Sequence, residues 1–513
     1  MLAAIRSAAV LGIEAYDVTV EVDAAQGLPQ FTIVGLPAGS VKESRERVGA
    51  AIVNSGFVLP PRRITVNLRP ADVRKEGTAF DLPIALGILA ATGQLRTTAL
   101  EDCVVVGELG LDGLLRGVRG TLSIARRAAQ IGATAVLPPV NAAEASLVRG
   151  LPICAPQSLA ALVTQLRRGP PERATVAAPV ARETSEVLDL ADVAGQEIAK
   201  RAFEIAAAGG HNVLLVGPPG AGKTMLARRL ASILPALTEQ EALEVTAIHS
   251  VAGMLSAASP VVTERPFRAP HHSISVAGLV GGGGVPRPGE MSLAHRGVLF
   301  LDELLEFPRH VLDALRQPLE DGRVLIARAS TAIVFPAAFT LVGAMNPCPC
   351  GRSGDPTGSC LCSASDVQRY RARLSGPLAD RIDMHVTVGA LPIRTLSSGM
   401  RSASSAQVRD RVERARGHQR ARYALLPGVH SNAGVAGRWI DANTPIDAAA
   451  RELLAASAER LAFSARGYHR VLKVARTIAD LDDAPSITSA CIAEALRFRP
   501  VSAAGGLPSL TPA

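Results

Sequence analysis

The run Asn212-Val-Leu-Leu-Val216 leads directly into Gly217-Pro-Pro-Gly-Ala-Gly-Lys223-Thr224. Consecutive apolar residues without alternation read as a strand buried on both faces, the kind that sits inside a helix-covered parallel sheet. Gly217, Gly220 and Gly222 then let the backbone fold tightly around an anion, with its N–H groups turned inward. The helix that follows presents its N-terminal dipole to the same anion. Strand, loop and helix in this order commit the chain to an α/β fold with a phosphate site at the sheet's edge. Gly217, Pro218, Pro219, Gly220, Ala221 and Gly222 form the cradle. Lys223 places a point charge on the β and γ oxygens, and Thr224 offers a hydroxyl to Mg²⁺. ATP and Mg²⁺ are therefore the expected cofactors.

A second strand, Gly297-Val-Leu-Phe-Leu301, ends in Asp302-Glu303. At that end of an open α/β sheet Asp302 would hold Mg²⁺ and Glu303 would polarise the attacking water. An Asp-Glu pair after a strand also serves as a helix cap. A third apolar run, Thr340-Leu-Val-Gly-Ala344, is followed by Asn346, placed to orient that water. Arg381, in Asp380-Arg-Ile-Asp383, is the arginine-finger candidate, reaching a neighbouring subunit's nucleotide. The same run could be a local salt-bridge cluster. Arg466 and Arg470 are candidates for a second phosphate sensor, or residues of a solvated helix face.

A chain of 513 residues exceeds one ordinary core. The expected division is 1–168, mixed α/β; 169–185, a Gly/Pro-bearing linker; 186–395, the parallel-sheet ATPase unit; and 396–513, helical. Expected helices include Gly39–Ser55, Asp81–Thr92, Ser405–Tyr423 and Gly467–Leu481. No run of about 18 uncharged apolar residues exists, so no membrane span is expected. The seven cysteines do not form a disulfide framework, which points to the cytoplasm. The net charge of +8 permits a polyanion partner. Cys348, Cys350, Cys360 and Cys362 flank a Gly-rich stretch and suit a tetrahedral structural Zn²⁺, or stand as four reduced thiols in a long loop.

Longer motifs surround these sites. Arg265-Pro-Phe-Arg-Ala-Pro-His-His272, Pro288-Gly-Glu-Met-Ser-Leu-Ala-His-Arg-Gly297, Gln317-Pro-Leu-Glu-Asp-Gly322 and Asn346-Pro-Cys-Pro-Cys-Gly351 resemble the magnesium-chelatase-like AAA+ ATPases, in particular the ComM/YifB subfamily. The resemblance covers nearly the whole chain. It implies a homo-hexameric ring with ATP at subunit interfaces. It further implies a DNA helicase that drives branch migration in recombination, during natural transformation, on branched or single-stranded DNA without sequence preference. Metal insertion into porphyrin is not implied, because no metal-binding integrin-like region is present. Region 1–168 resembles the Lon-protease or S5 fold, but Ala79 stands where the Lon nucleophile would be. A non-proteolytic scaffold is expected, with Thr78 lacking a Lys partner.

The DNA-contacting elements are read from charge and turns. Leu319–Arg328 reads as a hairpin turning at Asp321-Gly322. It is similar to the pore hairpin of minichromosome-maintenance helicases. Arg328 and Arg323 would contact backbone phosphate. The loop holding His271, His272 and Gly281–Gly284 is a second pore candidate; its histidines could also bind metal or be hydrogen-bonded loop residues. Arg409, Arg411, Arg414, Arg416, Arg420 and Arg422 read as a nucleic-acid face or a solvated, paired one. A rival reading is an assembly or remodelling ATPase acting on a protein, without proteolysis or chelation.

Overall fold

A computed structural model describes residues 2–176, 188–283, 286–328, 331–353, 360–390 and 403–499. The predicted linker 169–185 and the segments 391–402 and 500–513 thus fall partly or wholly outside the described residues.

The first region is built on β1 (Leu2–Leu11), β2 (Glu14–Ala25), β3 (Gln30–Val34) and β4 (Arg63–Arg69), in sheet order β1-β2-β4-β3. Val18, Val20, Val22 and Ala24 alternate inward along β2, as the period of two requires. Two helices, α1 (Gly39–Asn54) and α2 (Asp81–Ala91), accompany this sheet. Every residue of α2 is buried. Gly87 lets it approach the sheet, since a Cβ there would lie 2.5 Å from Val22 Cγ2. Asp81 opens α2 in the core, bound by Ser44, by Arg47 and by the Leu109 N–H. A second sheet, β5 (Cys103–Val105), β8 (Thr134–Val136) and β9 (Ile153–Cys154), is parallel; the short pair β6 (Glu108–Leu109) and β7 (Leu115–Arg116) is antiparallel. With them lie α3 (Thr121–Gln130), α4 (Pro139–Ala145) and α5 (Leu159–Arg168).

The central region carries the parallel sheet that the phosphate loop demanded. Its order is β11 (Phe267–Arg268), β14 (Val298–Leu301), β17 (Thr340–Met345), β10 (Val213–Val216), β18 (Met384–Thr387). Val213 and Leu215 enter one core while Leu214 and Val216 enter the other. That two-sided burial is why the strand is an unbroken apolar run. Helices α6 (Glu197–Gly209) and α7 (Lys223–Ile233) cover the first face together with the C-terminal helices Ser405–Arg422 and Ala465–Leu481. Helices α8 (Glu239–Ala252) and α9 (Val276–Val280), with the ribbon β12 (Gly281–Gly282) and β13 (Arg287–Pro288), fill the segment around β11. The C-terminal part is helical, with Gly437–Asn443, Ala448–Arg460 and Ser489–Arg497 completing it.

The first region is docked on the second. The Gly120 N–H donates to the Ser250 carbonyl at 3.3 Å, and the Ser250 hydroxyl donates to buried Glu144. Gly12, in the β1–β2 turn, lies so close to the following ribbon that a Cβ would sit 3.1 Å from Ile333 Cγ2.

One expectation is corrected. The hairpin exists as β15 (Arg323–Arg328) and β16 (Thr331–Pro336), but it does not turn at Asp321-Gly322. That dipeptide closes the helix Arg316–Asp321, with Gly322 in the left-handed region at φ 63°. Asp-Gly serves a helix C-terminus as readily as a hairpin, because both need a residue at positive φ. Arg323 therefore sits at the ribbon's base. Arg328 is at its tip, where its side chain lies outside the described residues. On the arginine-rich helix, four of the six arginines are tied down while Arg414 and Arg420 stay exposed. Arg409 donates to the Ser232 carbonyl, Arg416 to the Ala207 carbonyl, and Arg411 and Arg422 pair with Glu204 and Asp480. Those bonds fasten the helical part onto α6, α7 and its own core.

Candidate nucleotide site

The phosphate loop is shaped by what stands around it. A Cβ on Gly217 would lie 2.1 Å from the Val388 carbonyl oxygen, so only glycine passes. Gly220 and Gly222 take φ of 79° and 85°. Lys223, the first residue of α7, donates from Nζ to the Gly217 carbonyl at 2.7 Å, the Pro218 carbonyl at 2.9 Å and Asn346 Oδ1 at 3.2 Å. Burial holds its ammonium below the ordinary lysine range. A desolvated cation bonded to neutral oxygens fits an anion that brings its own charge. Thr224 Oγ1 donates to Asp302 Oδ2 at 2.6 Å, while Asp302 Oδ1 accepts the Glu303 N–H at 2.9 Å. This hydroxyl and carboxylate are hard oxygen donors of the kind Mg²⁺ takes, so the donor set fits Mg-ATP. Glu303 follows in the left-handed region, φ 49° and ψ 46°, its side chain 59% exposed. Lys223, Thr224, Asp302, Glu303 and Asn346 are thus brought together where the sequence placed them.

Arg381, Arg466 and Arg470 are brought together elsewhere. Arg381 Nη2 lies 2.6 Å from Glu320 Oε1, and Arg466 Nη2 lies 3.9 Å from the same atom. Arg470 Nε is 3.5 Å from Asp383 Oδ1. The Asp383 N–H donates to the Asn212 carbonyl, at the start of β10, whereas Lys223 follows its end. Four strand residues separate the two ends, about 13 Å at roughly 3.3 Å per residue. These three arginines, with Arg265, Arg296 and Lys473, line a cleft of about 1030 Å³ at the sheet's N-terminal end. Arg381 Nε and Arg470 Nη1 are buried with no hydrogen-bond partner among the described residues. Within one chain, then, these cations do not face their own phosphate loop.

The cysteine cluster adjoins the phosphate loop. Cys348 Sγ lies 3.4 Å from Cys350 Sγ and 3.7 Å from Cys360 Sγ, and Cys350 and Cys360 are 3.6 Å apart. A tetrahedron with Zn–S of about 2.3 Å has S–S edges of about 3.8 Å. With Cys362, all four sulfurs lie within 4.8 Å of one another. The spacing is far above a disulfide's and matches a shared divalent ion. The turn carrying the first two cysteines packs on the loop: a Cβ on Gly351 would lie 2.6 Å from Pro219 Cδ.

Two residues escaped the sequence reading of the nucleotide site. Gln196 Nε2 donates to the Gly389 carbonyl at 2.7 Å and reaches the Ala221 carbonyl at 3.5 Å, bordering the phosphate loop from the α6 side. Nothing in the sequence marks it. His272 Nδ1 lies 3.4 Å from Glu303 Oε2. The sequence pointed to the His pair as a pore loop or metal site, and gave no sign of this partner.

The geometry is that of a Mg-nucleotide site on a parallel sheet with a helical C-terminal part. Comparison with known proteins narrows the class. Residues 189–396 match the family model described as magnesium chelatase, subunit ChlI; 20–141 match subunit ChlI of Mg-chelatase; and 402–499 match the ChlI C-terminal model. Competence protein ComM of Haemophilus influenzae is 46% identical over 507 residues, 97% of each chain. YifB of Salmonella typhimurium is 43% identical over 502 residues, 98% of this chain and 97% of its own. The 38 kDa magnesium-chelatase subunit of Cereibacter sphaeroides is 30% identical over only 172 residues, 30% of this chain. The chain belongs to the ComM/YifB family of magnesium-chelatase-like AAA+ ATPases. Among the described residues no helix is long and apolar enough to cross a membrane.

Proposed function

We propose that the protein is a homo-hexameric, ATP-driven DNA translocase of the cytoplasm that migrates branched or single-stranded DNA without reading its sequence. The single observation that carries the ring is the separation of Lys223 from Arg381, Arg466 and Arg470 to opposite ends of one sheet. A site complete in both parts needs two copies, one giving the loop and one the cationic cleft. In that site Lys223 binds the β and γ phosphates, Thr224 and Asp302 hold Mg²⁺, Glu303 takes the proton of the attacking water, and Asn346 orients that water. From the adjoining subunit Arg381 stabilises the charge that develops on the γ-phosphoryl group, with Arg466 and Arg470 beside it. ATP hydrolysis is the chemistry; the bound Mg²⁺ supplies charge neutralisation.

The DNA assignment rests on the exposed ribbon β15–β16 with Arg323 and Arg328, on the net charge of +8, and on the competence role named for the Haemophilus relative. Natural transformation is the setting that name suggests. Residues 1–168 are a Lon/S5-like scaffold without protease chemistry: the Thr78 hydroxyl donates to Glu108 instead of serving a lysine. Residues 186–395 are the AAA+ unit and 396–513 its helical partner, and the four cysteines hold a structural Zn²⁺. A second reading, remodelling of a protein partner, is favoured by one feature: Leu325 and Val334 on the ribbon are 50% and 45% exposed. The deciding experiment measures ATPase rate with and without four-way DNA, alongside migrated product. Stimulation and migration are expected. An ATPase indifferent to DNA, with no product, overturns the translocase and leaves the protein-partner reading.

A further inference from the structure

One carboxylate of the cationic cleft is set against Arg381. Glu320 Oε1 lies 2.6 Å from Arg381 Nη2 and 3.9 Å from Arg466 Nη2. Arg381 Nη1 donates to the Pro377 carbonyl at 2.7 Å. The Arg381 side chain is 13% exposed, and that of Glu320 is 49% exposed. The arginine is fixed by its surroundings, and the carboxylate is the partner with room to move. Glu320 stands in the last turn of the helix Arg316–Asp321. A carboxylate there meets the negative end of the helix dipole, which is unfavourable. Asp321 beside it adds a like charge, and accepts from Gln317 Nε2 at 3.2 Å. Arg381 supplies the counter-charge for this helix end.

The same helix end is the foot of the exposed ribbon. Gly322 closes the helix by donating its N–H to the Pro318 carbonyl at 2.9 Å. Its own carbonyl accepts the Ala337 N–H at 2.8 Å, one residue beyond the end of β16. Arg323 then begins β15. Three steps along the chain join the carboxylate on Arg381 to the base of both ribbon strands.

A γ-phosphoryl group of an adjoining subunit needs the same Arg381 nitrogens. Phosphate and carboxylate repel each other across one guanidinium. An exposed ion pair contributes little, so the exchange of one anion for the other is cheap. We propose that Glu320 is a positioning residue that holds Arg381 until the adjoining subunit's ATP takes it over, and that its release loosens the foot of β15–β16. The neighbour's triphosphate is in this way reported to the ribbon. A diphosphate, lacking the γ-phosphoryl group, leaves the pair closed. By linkage, a ligand that stabilises the loosened ribbon tightens triphosphate binding in return. The exchange rests on the role given to Arg381 under the proposed function, and adds to it a competitor and a route to the ribbon.

The test is equilibrium binding of the β,γ-imido analogue of ATP, and of ADP, to the full-length assembled protein with and without four-way DNA. Wild type, E320A and E320Q are compared; E320Q keeps the shape and removes the charge. Both variants are expected to bind the analogue about two- to fivefold more tightly without DNA, the range an exposed ion pair supports. ADP affinity is expected to be unchanged. DNA is expected to tighten analogue binding about fivefold in the wild type and less than about twofold in the variants. In an R381A background E320A is expected to add nothing, since the two act through one contact. Weaker or unchanged analogue binding in both variants, or an equal shift for ADP, overturns the exchange. So does a full E320A effect in the R381A background. A DNA effect that survives in both variants overturns the route to the ribbon. If R381A turns over ATP at the wild-type rate, the arginine finger falls and the exchange with it. A wild type indifferent to DNA removes the translocase alone, and the DNA-free arms still decide Glu320.

Discussion

The two ends of the central sheet make opposite uses of charge. At the C-terminal end one desolvated lysine is bonded to neutral carbonyls and an amide, and one carboxylate is already tied to a hydroxyl. At the N-terminal end several arginines crowd a cleft, sharing Glu320 and Asp383, with buried N–H groups that find no partner among the described residues. The first end is satisfied within its own chain. The second has more cation than its chain can use, and buried charge of that kind is costly unless a partner supplies the counter-charge. Under the proposed function, each subunit supplies half of two sites.

The largest expected effect is at the first end. Lys223→Ala should abolish nucleotide binding and turnover, checked by fluorescent-nucleotide titration and phosphate release; retained binding would break the assignment. Arg381→Ala should keep nucleotide binding and lose turnover by about 10³-fold or more in an assembled ring. Mixed rings sharpen the comparison: Lys223→Ala and Arg381→Ala subunits, each inactive alone, should together recover turnover at roughly a quarter of interfaces, where intact loop meets intact arginine. No recovery would place Arg381 within its own subunit's chemistry. Removing zinc, or Cys348→Ser, should loosen the turn under Pro219 and lower the thermal midpoint by about 1–2 °C, the shift that roughly 1–2 kcal/mol gives in a chain of this size. Zinc-free protein of unchanged stability would take the metal away from the cysteines. The smallest effect is expected from Gly351→Ala, with its Cβ against Pro219 and φ at 76°. It should raise KM for ATP by roughly threefold, close to 0.6 kcal/mol, with kcat little changed.

What could be read in advance was local. Val213–Val216, the glycine loop and the start of α7 are contiguous, so their geometry is fixed by short-range sterics and burial. Glu303 and Asn346 were legible because each follows an apolar strand. The placement of Arg381 and Arg470 at the far end was not, because it depends on the pairing of β10 with β18 across 170 residues of chain. The contact of His272 with Glu303 joins residues far apart in the sequence, beyond the reach of local patterning. The first strand is unmarked in the sequence for another reason. Leu2–Leu11 is rich in alanine, a poor strand former, and is extended because β2 pairs with it along its whole length. Gly322 was misassigned because one dipeptide serves two kinds of chain reversal.

The docking of the first region through Gly120, Glu144 and Ser250 bears on how the molecule can be divided. The Glu144 carboxylate lies buried between the Leu122 N–H and the Ser250 hydroxyl, and burial pushes its pKa up. A shortened chain beginning at the phosphate-loop unit would strip α8 of those partners and uncover Ile333 where Gly12 now shields it. Isolated from the first region, the phosphate-loop unit would lose each of these contacts.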